Sequence, residues 1–148
     1  MKPALREMVE HFAVALPHCK ALNMRMDLIE DAHVVMSMPY DDFLIGDPST
    51  GVIHGGAISA LMDSCGGASV FTHPENSSAS VTLDLRIDHM RSAKPGERIF
   101  AEANCFHVTR TVAFVRVVAW AGDQKGEPTA TATGAFSFKR KKREHSDA

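Results

Sequence analysis

Apolar residues recur at helical spacing near the start of the chain and at alternating spacing through much of its second half. Leu5, Met8, Val9, Phe12 and Leu16 are set at intervals of three and four, and Pro3 suits a first turn, so an amphipathic helix is predicted over 3–16, ended by Pro17. Between Leu22 and Pro39 two short strands flank Glu30-Asp31, with the alternation clearest in Val34, Met36 and Met38, which predicts a hairpin. Gly46, Asp47 and Pro48 mark 41–50 as a loop, which runs through Gly51-Val-Ile-His-Gly-Gly into a second helix over 57–71. Beyond Pro74-Glu-Asn-Ser-Ser, strands are expected over 79–90, 97–108, 111–121 and 129–139, following one another as an antiparallel meander. The sum is an α+β fold: a six-stranded antiparallel sheet packed on one principal helix, with an extra helix at the N-terminus.

The principal helix is apolar around most of its circumference, through Ile58, Leu61, Met62, Cys65, Val70 and Phe71, and is expected to be buried. Ser59, Asp63, Gly66 and Gly67 break this pattern as a small, polar stripe, since they lie three and four residues apart. Each glycine costs a helix roughly 1 kcal/mol relative to alanine, so the Gly66-Gly67 pair points to close approach of another backbone or a ligand. Upstream, His54-Gly55-Gly56 enters the helix with two residues that lack side chains, exposing the first amide N–H groups at the positive end of the dipole. Such a corner can hold a phosphate or stabilise a carbonyl oxygen as it becomes an oxyanion. Asp63 lies some two turns further on, about 11 Å along the axis, too far to share one reacting carbon with Gly55 of its own chain. The geometry favours a site built across a dimer interface.

Composition narrows the class. The 148 residues suit one domain, and 45% hydrophobic with 23% charged residues argue for a folded globular chain. No apolar run reaches the roughly 20 residues of a membrane-spanning helix, and the longest, 57–71, carries Asp63. The start of the chain lacks a continuous apolar stretch of secretory type, which leaves a cytoplasmic location as the expectation. Cys19, Cys65 and Cys105 are odd in number and widely spaced, as expected of buried free thiols. The net charge of −2 conceals a basic run, 139–143; residues 1–138 carry 11 Lys and Arg against 16 Asp and Glu, so there is no basic body to hold nucleic acid. The run itself, which lacks interleaved aromatics, is expected as a frayed terminus. His11, His18, His33 and His73 show no ligand spacing, so no metal is expected.

The segment G-V-I-H-G-G-A-I-S-A-L-M-D-S, 51–64, resembles the active-site segment of the PaaI-like acyl-CoA thioesterases of the hotdog fold, and the likeness continues through S-V-T-L-D-L-R-I-D-H-M-R-S-A-K-P-G, 80–96. It divides the chain into an N-terminal helix and connector (1–21), a hotdog domain (22–138) and a basic tail (139–148). The resemblance implies hydrolysis of acyl-CoA to free acid and CoA without a cofactor, by a homodimer or a tetramer built from two dimers. Asp63 matches the general base or nucleophile, Gly55 the glycine whose N–H polarises the thioester carbonyl, and His54 a loop-shaping histidine beside Gly56. Thr82 matches a hydroxyl residue that positions the attacking water. Asp47 stands where the family often has asparagine, and cannot donate a hydrogen bond unless protonated. His89, Arg91, Lys94 and Arg110 fall in the segments that meet the CoA phosphates. Two other readings remain open: a non-catalytic acyl-CoA-binding protein, and a hotdog dehydratase or hydratase.

Overall fold

Two prolines punctuate the start of the chain. Pro3 opens α1 (Pro3–Ala15), and Pro17, instead of only ending that helix, opens a second one, α2 (Pro17–Ala21). Proline suits a first helical turn because the N–H it lacks would have no partner there. The computed structural model describes residues 1–142, except the side chains at 12–14; Phe12 of the expected apolar stripe and the basic run from 143 onward lie outside the described residues. α1 packs on β1 and α3 with Val9 buried, whereas Met8 and Leu16 stay well exposed.

The expected hairpin forms from β1 (Arg25–Glu30) and β2 (His33–Met38), with its turn one residue later than predicted, at Asp31 and a left-handed Ala32. The segment expected as a plain loop contains a 3-10 turn (Asp42–Leu44) and a small ribbon, β3 (Ile45–Asp47) paired with β4 (Val52–Ile53). Helix α3 (Gly55–Phe71) follows, beginning two residues earlier than predicted. The remaining strands are β5 (Thr82–His89), β6 (Ile99–Val108), β7 (Val112–Ala121) and β8 (Ala130–Ser137).

The six long strands form one antiparallel sheet in the order β1-β2-β6-β7-β8-β5. This corrects the meander: β6, β7 and β8 do follow one another, but β5 pairs with β8 at the far edge and not with β6. Both sides of β6 are already taken, by β7 and by β2, whose Val34, Met36 and Met38 stand opposite Ala103, Ala101 and Ile99. β5 therefore ends as an edge strand.

The sheet curls around α3, and its inner face is lined by small side chains. Ala101, Ala103, Ala113, Ala119 and Ala130 are all fully buried, interleaved with Val115 and Val117. The close approach inferred from Gly66 is real, but what approaches is a side chain. A Cβ on Gly66 would lie 3.0 Å from Phe136 Cζ. The exposed part of α3 is a stripe of small residues, with Ser59, Ala60, Asp63, Ser64, Gly67 and Ala68 half-buried.

The beginning of the basic run, expected to fray, is tied down. Ser77 N–H donates to Lys139 O, Lys141 N–H donates to Glu75 O, and Arg140 pairs with Glu75 at 3.5 Å.

On the outer face, His33 links the hairpin to the centre of the sheet, with Nδ1 2.8 Å from Glu30 and Nε2 2.8 Å from Glu102. Glu102 also pairs with Lys125. Burial alone would favour the neutral ring, but the hydrogen bonds and charges of Glu30 and Glu102 outweigh it and raise the His33 pKa above 6.5. The hydrogen bond from Lys125, followed by that from His33, holds Glu102 below 4.5 against the effect of burial. The His33 contribution to stability is complete below its unfolded pKa and is lost as pH rises through the folded one; that of Glu102 is lost as pH falls through its own. Raising the pH from about 6 to about 9 is therefore expected to lower the urea midpoint of the wild type more than that of His33→Gln. Parallel curves for the two proteins would show that the doubly bonded imidazolium does not contribute.

Candidate active site

The ribbon of β3 and β4 holds the start of α3 in place. Gly46 passes so close to His54 that a Cβ there would lie 2.7 Å from His54 Cα, and His54 N–H donates to Leu44 O at 2.8 Å. Between the two strands, Asp47 accepts hydrogen bonds from the N–H and hydroxyl of Ser49 and from the Thr50 hydroxyl. These bonds from Ser49 and Thr50 hold its carboxyl below the usual range. Asp47 is thus ionised and engaged in its own turn, so the protonated form needed for donating a hydrogen bond is disfavoured.

His54 caps α3. Its Nδ1 accepts from Gly56 N–H at 2.8 Å and its carbonyl from Ala57 N–H at 3.0 Å. An accepting Nδ1 leaves Nε2 as the N–H of the ring. Of the first three amides of the helix, only that of Gly55 has no partner among the described residues. Beside Gly55 stands His89, from the end of β5: a Cβ on Gly55 would lie 3.5 Å from His89 Cε1 and 3.7 Å from Nε2. His89 does not line the groove that holds Arg91 and Lys94, its neighbours in the expected CoA segment.

About two turns along the same helix, Asp63 Oδ1 accepts from the Thr82 hydroxyl at 2.7 Å. Here the structure brings together two residues expected to act together. They open on a cavity of about 280 Å³ whose walls are mostly apolar, including Val9, Leu16, Phe71 and Phe136. Its N-terminal wall was not foreseen. α2 contributes Cys19, whose sulfur lies 3.7 Å from the Ser64 hydroxyl on α3. The other two thiols are poor nucleophiles, because burial pushes Cys65 up to about 12 and Cys105 up to about 11.

The three cations expected to meet phosphate are not gathered in one chain. Arg91 and Lys94 line an open cavity of about 410 Å³ with Val52, near the start of α3, and Arg91 also donates to Glu127 O at 2.9 Å. Arg110 sits in the turn between β6 and β7, at the opposite end of the sheet, where Thr111 O receives Phe138 N–H and Val81 O receives Ser137 N–H. It shares that end with Thr82 and Asp63.

A sequence profile of the thioesterase superfamily matches residues 50–127, a span that contains both halves of this site. The chain belongs to the thioesterase superfamily. A Halobacterium salinarum protein, provisionally named an esterase, is 33% identical over 123 residues, 80% of each chain. A crystal structure of a Pseudomonas aeruginosa protein is 38% identical, with a TM-score of 0.79 over 90% of this chain and 98% of that one. The phenylacetic acid degradation protein PaaI of Thermus thermophilus, solved as a mutant, is 26% identical with a TM-score of 0.70 over 82% and 98%. The sheet curled around α3 is the hotdog arrangement, and the family supports a thioesterase-type activity. No helix among the described residues is long and apolar enough to cross a membrane.

A hydrogen bond to a charged group contributes about 1.5–3 kcal/mol, so Thr82→Val is expected to slow thioester cleavage roughly tenfold or more, with Thr82→Ser close to wild type. Thiol release monitored with a chromogenic reagent measures this. Equal rates for Thr82→Val and wild type would remove Thr82 from the site.

Proposed function

We propose that the protein hydrolyses acyl-CoA thioesters at sites shared between two copies of the chain. The observation that carries this reading is the placement of β5. This edge strand runs alongside α3 with Thr82 against Asp63 at one end and His89 against Gly55 at the other. An edge strand presents unpaired backbone groups, and antiparallel self-pairing about a two-fold axis satisfies them. Such pairing sets the Thr82 end of one copy beside the His89 end of the other, so a carboxylate meets an oxyanion corner twice per dimer. Val81, just before β5, and Leu83, within it, are 67% and 59% exposed and are apolar surface that such a contact would cover. Two such dimers would form the expected tetramer.

The acyl group enters the apolar cavity beside Asp63. Arg91 and Lys94, with Arg110 from the second copy, lie on the side where the CoA phosphates leave the site. In the reaction a water oxygen bonds to the thioester carbonyl carbon while Asp63 takes its proton, and the carbonyl π electrons move to oxygen, which Gly55 N–H stabilises. Collapse of this intermediate breaks the C–S bond, and the proton that Asp63 took passes to the departing thiolate through solvent, which restores the carboxylate. A thiol has a reference pKa of about 8.5, so its thiolate leaves without a strong general acid.

Asp63→Asn keeps the size of the side chain but removes its basicity, and is expected to cost about 10²- to 10⁴-fold in kcat. Gly55→Pro removes the unpaired N–H while respecting the helix, because proline suits the first position and His54 already has the extended backbone a following proline needs. Each variant alone should be nearly inactive, yet refolding the two together should restore about a quarter of wild-type activity, since half the dimers are mixed and each holds one intact site. No recovery on mixing would sink the shared site. An Asp63→Asn protein that stays folded and hydrolyses thioester as fast as wild type would remove Asp63 from the chemistry, whereas a wild type that binds acyl-CoA and releases no CoA would make the chain an acyl-CoA-binding protein instead.

A further inference from the structure

Of its first three amides, the helix entry at Gly55 offers a developing oxyanion one that has no partner among the described residues. Gly56 N–H is held by the His54 ring and Ala57 N–H by the His54 carbonyl, so neither is free to turn towards a ligand. Asp47, the polar side chain of the adjacent ribbon, is an acceptor engaged by Ser49 and Thr50. A tetrahedral oxyanion formed here would face a single N–H, whereas oxyanion sites work by aiming several fixed dipoles at the new charge.

His89 stands where a second donor is required. It is the last residue of β5, and its backbone pairs with Ala130, which fixes its position on the sheet. Leu85, Ile87 and His89 alternate along the face that meets α3, and His89 is the one that arrives at the start of the helix. The ring edge carrying Cε1 and Nε2 lies 3.5 and 3.7 Å from where a Cβ of Gly55 would be. In a helix the Cα–Cβ bond tilts towards the N-terminus, the direction in which the unpaired N–H groups also point. His89 and Gly55 N–H therefore border the same space. The ring nitrogens of His89 have no hydrogen-bond partner among the described residues, and the side chain is exposed.

We propose that His89 is a catalytic residue, whose ring N–H donates to the thioester oxygen beside Gly55 N–H and strengthens that bond as the oxygen becomes negative. The inference rests on the thioesterase reading above. No proton is transferred in the step: the π electrons of the carbonyl move to oxygen, the two N–H groups keep their hydrogens, and the charge returns when the C–S bond breaks.

The test separates a donor from a packing ring. His89→Phe keeps an aromatic ring against Gly55 but has no N–H, while His89→Gln loses the ring and keeps a donor of similar reach. Removing one oxyanion donor costs about 10²- to 10³-fold in kcat, so His89→Phe and His89→Ala should both fall by that order in the full-length protein. His89→Gln should recover at least tenfold of the loss, with KM for acyl-CoA within about threefold throughout because the bond forms chiefly in the transition state. If His89→Phe hydrolyses thioester at the wild-type rate while Asp63→Asn does not, His89 is a packing residue and the proposal is wrong, with the thioesterase reading intact. A loss expressed in KM alone, or His89→Gln no faster than His89→Phe, also overturns it. If wild type and Asp63→Asn are equally slow on every thioester, both readings fall together.

Discussion

Helix α3 is apolar on nearly every side, and no flat surface can bury such a helix. The sheet must curl around it, and it can do so only if the two approach closely. The alanines of β6, β7 and β8 and the missing side chain of Gly66 provide that approach. Small residues contribute little apolar area individually, at about 25 cal/mol per Å². Many aligned strand positions compensate, and they let Phe136, the largest fully buried side chain, close over Gly66. Packing at interior density leaves little freedom to shift α3 along its axis. The positions of its first amide and of Asp63 are thereby set by the core.

The remaining stripe of the helix is where the proposed site collects. Ser59, Asp63, Ser64 and Gly67 are small enough to leave space beside α3, and α1 with α2 roofs part of it to form the apolar cavity. β5 then acts as a ruler. Its first residue fixes the carboxylate through a hydrogen bond and its last places an imidazole at the start of the helix. Since β5 is also an edge strand, the element that organises both half-sites has backbone groups to offer a second copy.

Much of this was legible in the sequence, for identifiable reasons. The buried helix showed itself because its apolar residues exceed any single stripe, and the strands because Val34, Met36 and Met38 alternate as a one-sided surface requires. Asp63 and Gly55 stood out as exceptions within that helix. The strand order was not readable from turn lengths, since it depends on β2 competing successfully for the side of β6 that a meander would give to β5. Pro17 does end the first helix, but that it also opens a second was not readable, because proline ends one helix and opens the next with the same geometry. The nearness of His89 to Gly55 was not visible either. It follows from the pairing of His89 with Ala130, and the bulge between Thr82 and Asp84 is what lets Thr82, an odd number of residues away, face α3 as well.

The helix entry also bears on the proposed ligand, because a pair of glycines before a helix could suggest either a phosphate or a carbonyl oxygen. A phosphate group presents three oxygens and is held where successive backbone N–H groups converge on it. Here the loop uses its own donors: Gly56 on the His54 ring, Ala57 on the His54 carbonyl, and Ser49 and Thr50 on Asp47. One amide remains, suited to one oxygen. A thioester carbonyl has one oxygen, and its charge grows only during the reaction, so a small number of aligned donors favours the transition state over the bound substrate. A loop that satisfied fewer of its own groups would bind anions more tightly in the ground state, and would discriminate less between substrate and transition state.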